Sequence, residues 1–180
     1  MRWPGMRPSL ESVAAPATAF VIAASAACAQ TVAKSQLGVI AQSVAGTRIE
    51  ITYRRPVARG RRLFGALVPW GLVWTPSADS AARFTTSRAI DVNGSTLPEG
   101  RYSVWTIPDS TSWTVIFNGV ADAFHLRYPG GPDVLRVRAT PGQGPYVETL
   151  MFDFPIVDGD SARLELRWGT TVVPLSIHAK

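Results

Sequence analysis

Arg163-Leu164-Glu165-Leu166-Arg167-Trp168 alternates charged and apolar side chains without a break. A period of two puts Leu164, Leu166 and Trp168 on one face of an extended chain and the charges on the other, the pattern of a half-buried antiparallel strand. The same alternation recurs upstream. Ile49, Ile51 and Tyr53 alternate with Arg48, Glu50 and Thr52; Trp113, Val115 and Phe117 alternate with Ser112, Thr114 and Asn118; Leu135 and Val137 alternate with Arg136 and Arg138. Each of these strands is expected to have one wet face.

Turn chemistry separates them: Asn93-Gly94, Pro98-Glu99-Gly100, Pro108-Asp109-Ser110, Asn118-Gly119, Pro129-Gly130-Gly131-Pro132, Pro141-Gly142-Gln143-Gly144-Pro145 and Asp158-Gly159-Asp160. Short strands at this spacing, with no sustained helical period, predict an all-β antiparallel sandwich; an up-and-down β-barrel is the alternative. The chain has 180 residues, of which 46% are hydrophobic and 17% charged, a length and balance that fit one globular domain and exclude a disordered one. No repeat or shift of composition marks a second domain. Residues 47–180 are read as one sandwich, and residues 30–46 as a leader into its first strand.

The N-terminus carries a different signal. Arg2 and Arg7 precede the uncharged run Val13–Ala29, which ends in Ala27-Cys28-Ala29 before Gln30. Basic, apolar, then small-x-small is the order of a secretory signal cleaved after Ala29. The run is Ala-rich and interrupted by Pro16, at the bottom of the range for a permanent membrane span. The product is therefore expected in the periplasm or the medium. A lipoprotein anchored through Cys28 is the alternative. Cleavage would remove the chain's one cysteine, and with it any disulfide, thiolate nucleophile or Cys-ligated metal. The net charge of +5 rests on 18 Lys and Arg against 13 Asp and Glu, but export and the lack of an interleaved stacking motif argue against nucleic acid.

The segment Tyr53–Trp74, with Tyr53, Arg55, Pro56, Gly60, Arg61, Phe64, Gly65, Leu67, Val68, Pro69, Gly71 and Trp74 in step, resembles the opening of an uncharacterised bacterial exported family, domain of unknown function 2911. Leu97-Pro98, Gly100, Tyr102, Thr106-Ile107-Pro108, Trp113–Asn118, Asp133–Val137, Glu148 and Leu164, Leu166, Trp168 extend the likeness over nearly the whole chain after the signal. The resemblance implies a secreted all-β domain and no activity. One departure is Thr75–Ala81, where the family usually has Arg-Thr-Gly-Ala-Asn and here Asp79 replaces the Asn; another is Ala123–Leu126, in place of a more usual Trp-Gly pair.

Candidate sites follow from residue chemistry. Five arginines between Arg54 and Arg62 offer forked contacts to a carboxylate or phosphate, with Arg55 and Arg61 the family-matched pair. The competing reading is a solvated loop whose arginines pair with acids of their own domain. Trp113 and Trp168 fall in phase with core residues, whereas Trp70 and Trp74 sit in a Pro/Gly-rich connection and are candidates for a sugar platform. Arg55, Arg61, Trp70, Trp74 and Asp79 thus form the expected ligand-binding set.

Catalysis is disfavoured. His125 and His178 are the two histidines, no Gly-x-Ser-x-Gly elbow is present, and a three-His metal site is impossible. The weak catalytic alternative is a saccharide hydrolase using Glu148 or His125 with a second carboxylate. Glu148 shares parity with Leu150, Phe152 and Phe154 and is expected to point inward as a buried partner of Arg55 or Arg61. Asp158-Gly159-Asp160 lacks the further ligands of a calcium loop and reads as a hairpin. The reading is a non-catalytic exported module without cofactor or metal, meeting an anionic or saccharide envelope ligand or a protein partner. A purely structural domain is the remaining alternative.

Overall fold

The computed structural model describes Met1 and residues 33–180; residues 2–32, which hold Cys28 and the run read as a secretory signal, lie outside the described residues. Ten strands make up the fold: β1 Gln36–Val44, β2 Thr47–Arg55, β3 Ala82–Thr86, β4 Ile90–Val92, β5 Ser95–Leu97, β6 Gly100–Ile107, β7 Trp113–Asn118, β8 Asp133–Ala139, β9 Gly142–Asp158 and β10 Ser161–Ala179. They form two antiparallel sheets, a six-stranded one in the order β1-β2-β3-β6-β7-β8 and a four-stranded one in the order β5-β4-β10-β9. The sheets are open, so the architecture is the sandwich and not the barrel.

The alternating sequences perform as their period requires. Ile49, Ile51 and Tyr53 of β2, Trp113, Val115 and Phe117 of β7, and Leu164, Leu166 and Trp168 of β10 are all buried in one core between the sheets. Tyr53 stands edge-on to Phe152 of the opposite sheet at 4.9 Å, and its hydroxyl accepts a hydrogen bond from the Phe152 amide at 3.0 Å. That bond satisfies a buried backbone donor that would otherwise lack a partner. Asn93-Gly94 makes the β4–β5 hairpin with both residues at positive φ, and Gly159 turns β9 into β10 as the sequence anticipates.

Four expectations need correction. The segment 30–46 is more than a leader, because it contains β1, paired with the whole of β2 from Gln36↔Arg55 to Val44↔Thr47. The Pro141–Pro145 stretch is not a turn: β9 begins at Gly142 and runs through Pro145. A proline is accommodated there because β9 is an edge strand, with no ladder on its far side to interrupt. Glu165 is buried rather than wet, with its carboxylate held by Arg163 Nε at 2.9 Å. Glu148 is exposed rather than inward. The ladder is irregular just there, with Arg167 opposite Met151 and Gly169 opposite Val147, so four residues of β9 pass two of β10 and the flat pleat from which the inward expectation was drawn is interrupted.

Beyond the core, the outer face of β6 and β7 is also covered. Trp105 and Ile116 bury themselves under Ala81, Ala123 and Tyr128, which belong to the connections before β3 and before β8. Trp105 donates to Ser103 Oγ at 2.9 Å and is thereby removed from any platform.

Candidate functional site

The connection from Pro56 to Thr75 crosses one end of the sandwich and is pinned at both ends. Ala58 N donates to Glu148 O at 2.8 Å, Leu150 N to Pro56 O at 2.9 Å, and Trp74 exchanges backbone bonds with Thr106 at 2.8 and 2.6 Å. Between these pins Leu63 and Val68 are buried as plugs, and Phe64 becomes an aromatic hub. Phe64 meets Trp113 edge-on at 4.9 Å and Trp168 at 6.1 Å, while Trp70 stacks over it at 6.1 Å with 28° between the planes. Gly65 makes that stack feasible: its φ is +77°, and a Cβ there would collide with Trp70 Nε1.

Against this hub lies a cleft of about 440 Å³, open at the end of the sandwich. Trp70 and Phe64 form one wall, the Asp109-Ser110 turn a second, and Gln143 and Tyr146 of β9 a third, with Arg61 on the rim. Trp70 is 43% exposed although its position is fixed by the stack. A second hollow of the same volume, about 440 Å³, lies beside it and shares Arg61 and Trp168. Its walls include Lys34, Arg59, Leu67, Trp74, His125 and Leu126.

The expected site residues therefore divide. Arg61 and Trp70 meet at the cleft, and Arg61 and Trp74 meet at the adjoining groove. The Arg61 guanidinium is oriented from behind, Nε donating to Ala58 O at 2.8 Å and Nη2 to Val57 O at 2.7 Å. Arg55 lines neither cavity. It donates through Nε to Leu150 O at 3.1 Å, and its stem lies over Gly38, where a Cβ would come within 2.8 Å of Arg55 Cδ. Asp79 sits apart, beside a hollow it shares with Arg54, Arg83 and Asp122. Trp74 lies parallel to Trp168 at 6.0 Å and 8°, half-buried, so the groove sees only part of it.

Glu148 and His125, the weak catalytic pair, are not joined by a hydrogen bond, and neither cavity is lined by both. Glu148 is held as an anion by the Tyr146 hydroxyl at 2.6 Å and the Arg59 amide at 2.6 Å, which keep its carboxyl below the ordinary range. Asp109 is held low in the same way by the amide and hydroxyl of Thr111. Retaining and inverting glycosidases both need one carboxyl raised enough to give up a proton near neutrality, and these two are shifted the other way. Phe64, Gln143, Tyr146 and Asp109 were not singled out by sequence. Phe64 was visible only as part of the family pattern, Gln143 was hidden in the Pro141–Pro145 stretch read as a turn, and Tyr146 follows that stretch directly.

The fold and the cleft define a class: an open all-β sandwich with an aromatic-walled cavity at one end. The chain belongs to the family described as "Protein of unknown function (DUF2911)", whose model matches residues 35–177. No curated protein and no solved structure matches it.

Proposed function

We propose that this domain is an exported, non-catalytic binding module that seats a saccharide of the cell envelope against Trp70. The observation that carries the reading is the exposed indole held rigid over Phe64 at the mouth of a cleft of about 440 Å³. Aromatic faces carry negative charge density, which suits the C–H face of a sugar ring, and a side chain already fixed loses little entropy on binding. Gln143, Asp109 and Arg61 surround the indole with the donors and acceptors that hydroxyls need. The two depressed carboxyls argue for holding a sugar rather than cleaving it.

Export rests on the order of residues 1–29, and the mass of the protein recovered from the periplasm of its host tests it. A chain beginning at Gln30 supports cleavage after Ala29, whereas an acylated Cys28 supports the lipoprotein form. For the cleft, titration calorimetry of the domain against soluble peptidoglycan fragments and neutral oligosaccharides is the direct experiment. Trp70→Ala is expected to abolish binding while the domain stays folded, with the melting temperature lowered by a few degrees through loss of the stack on Phe64, about 0.5–1.5 kcal/mol. Unchanged sugar binding by a folded Trp70→Ala variant would overturn the assignment.

A further inference from the structure

We propose that the groove beside the cleft is a second, separate site, which takes the anionic head of a single-chain amphiphile: a phosphate monoester or carboxylate carrying an apolar tail. The charge balance of the groove is one-sided. Lys34, Arg59 and Arg61 line it, and no Asp or Glu does. The neighbouring carboxylate, Glu148, is occupied by the Arg59 amide and the Tyr146 hydroxyl. Lys34 and the Arg59 side chain form no ion pair with any described residue, and the Glu148 anion acts on Arg59 and Arg61 only through space, without pairing with either side chain. Arg61 presents its guanidinium with two of its nitrogens already fixed by backbone carbonyls. A pre-oriented guanidinium loses little freedom when an oxyanion binds it.

His125 adds an unpartnered polar atom. Its Nδ1 is shielded from solvent and has no hydrogen-bond partner among the described residues. The imidazole lines the groove beside Lys34, Arg59 and Arg61, and an Nδ1 left without a partner calls for one from whatever the groove binds.

The rim has the opposite character. Leu67 is 42% exposed and Leu126 is 78% exposed, and both border the groove. Large aliphatic side chains held in water at the lip of a cationic seat suit a ligand with a charged end and an apolar end; a bare inorganic anion would use the seat alone. The proposal does not depend on the saccharide reading, although Arg61 borders both cavities.

The test compares inorganic phosphate with hexyl phosphate, below its micellar concentration, on the intact domain. Binding is followed by the indole N–H resonances of Trp74 and Trp168 and the ring resonances of His125. Hexyl phosphate is expected to bind about tenfold tighter than phosphate, a gain of about 1.4 kcal/mol. Lys34→Gln and Arg59→Gln, both exposed positions, should each weaken both ligands several-fold. Leu126→Ser should remove most of the preference for the hexyl compound and leave phosphate binding unchanged. Vesicles containing phosphatidylglycerol, a two-chain phosphodiester, are not expected to carry the domain down; co-sedimentation that hexyl phosphate reverses would overturn the single-chain assignment. Equal affinity for the two phosphates, or indifference to both cation substitutions, overturns the proposal. Trp70→Ala must leave hexyl phosphate binding intact, which separates failure of this site from failure of the saccharide cleft.

Discussion

The connection that carries His125 and Leu126 hangs from one carboxylate, and Asp133→Ala is the perturbation that measures its hold. Asp133 Oδ1 accepts from Asn118 Nδ2 at 2.9 Å and from the Tyr128 hydroxyl, while Oδ2 accepts from Arg136 Nε at 2.7 Å. Asn118 is wholly buried and ties the same connection through Gly131 O and Val120 N, and the Asp133 side chain is 18% exposed. The Arg136 pair is half in solvent and contributes ~0–1 kcal/mol. Each bond from Asn118 and Tyr128 to the anion is worth about 1.5–3 kcal/mol, but the two share an oxygen and do not add fully. A loss of about 3 kcal/mol follows, which in a domain of this length lowers the melting temperature by roughly 6–12 °C. Burial alone would raise the carboxyl of Asp133, yet the bonds from Tyr128, Asn118 and Arg136 outweigh it and hold the group below its ordinary value. A lowered folded value contributes stability that is complete above the unfolded value of about 3.9 and is lost as pH falls through the folded one. Scanning calorimetry of wild type and variant at pH 7, 5, 4 and 3 should show a gap that is constant down to pH 5 and closes below pH 4. Because other carboxylates titrate in both proteins, the difference isolates Asp133. A gap under about 2 °C at pH 7, or one that persists undiminished at pH 3, would refute the reasoning.

Two further substitutions separate structure from recognition. Arg55→Ala should cost about 1 kcal/mol, some 2–4 °C, through loss of the bond to Leu150 O and of the stem over Gly38. It should leave titrations of both cavities unchanged, and a selective loss of binding would return Arg55 to the ligand set. Tyr53→Phe keeps the edge contact with Phe152 but strands the buried Phe152 amide, at a cost of about 1–3 kcal/mol. Hydrogen exchange at Phe152 should accelerate in that variant, and protection equal to wild type would contradict the assigned role.

What was legible in the sequence was whatever a period of two could carry. Strands β2 and β8 bury one face and leave the other at least partly in solvent, so their alternation survives in the text, whereas the outer face of β7, expected to be wet, is covered at Ile116 and Asn118. Strand β1 does not announce itself, because its inward positions include Gly38 and Gln42 while Leu37 and Val39 face solvent. Its turn is equally silent: Ala45 and Gly46 both adopt positive φ, a conformation usually signalled by Asn or Asp. In β9 the irregular pairing opposite Arg167–Gly169 interrupts the regular strand between Val147 and Met151, the stretch that contains Glu148 and Leu150. Within the site, the connection was recognisable from its arginines, tryptophans and turn residues. The division of labour among them was not, because it depends on which guanidinium meets a carbonyl across the sandwich.

The departure from the family pattern at Thr75–Ala81 bears on which tryptophan faces a ligand. Asp79 adopts φ +63°, a left-handed conformation that Asn and Asp tolerate better than other non-glycine residues, so exchanging one for the other preserves the backbone. The segment is fastened by its polar side chains. Thr75 Oγ1 donates to Val104 O at 2.7 Å and accepts from Ala82 N at 3.1 Å, while Ser77 Oγ accepts from Arg54 N at 2.8 Å. Thr75 and Ser77 are buried, so these bonds replace water that cannot reach the backbone there. Their consequence is to fix Trp74 in its parallel stack on Trp168, where it closes the core instead of reaching outward. Trp70, four residues earlier and held against Phe64 and Gly65, remains 43% exposed, which is why the sugar platform is assigned to it.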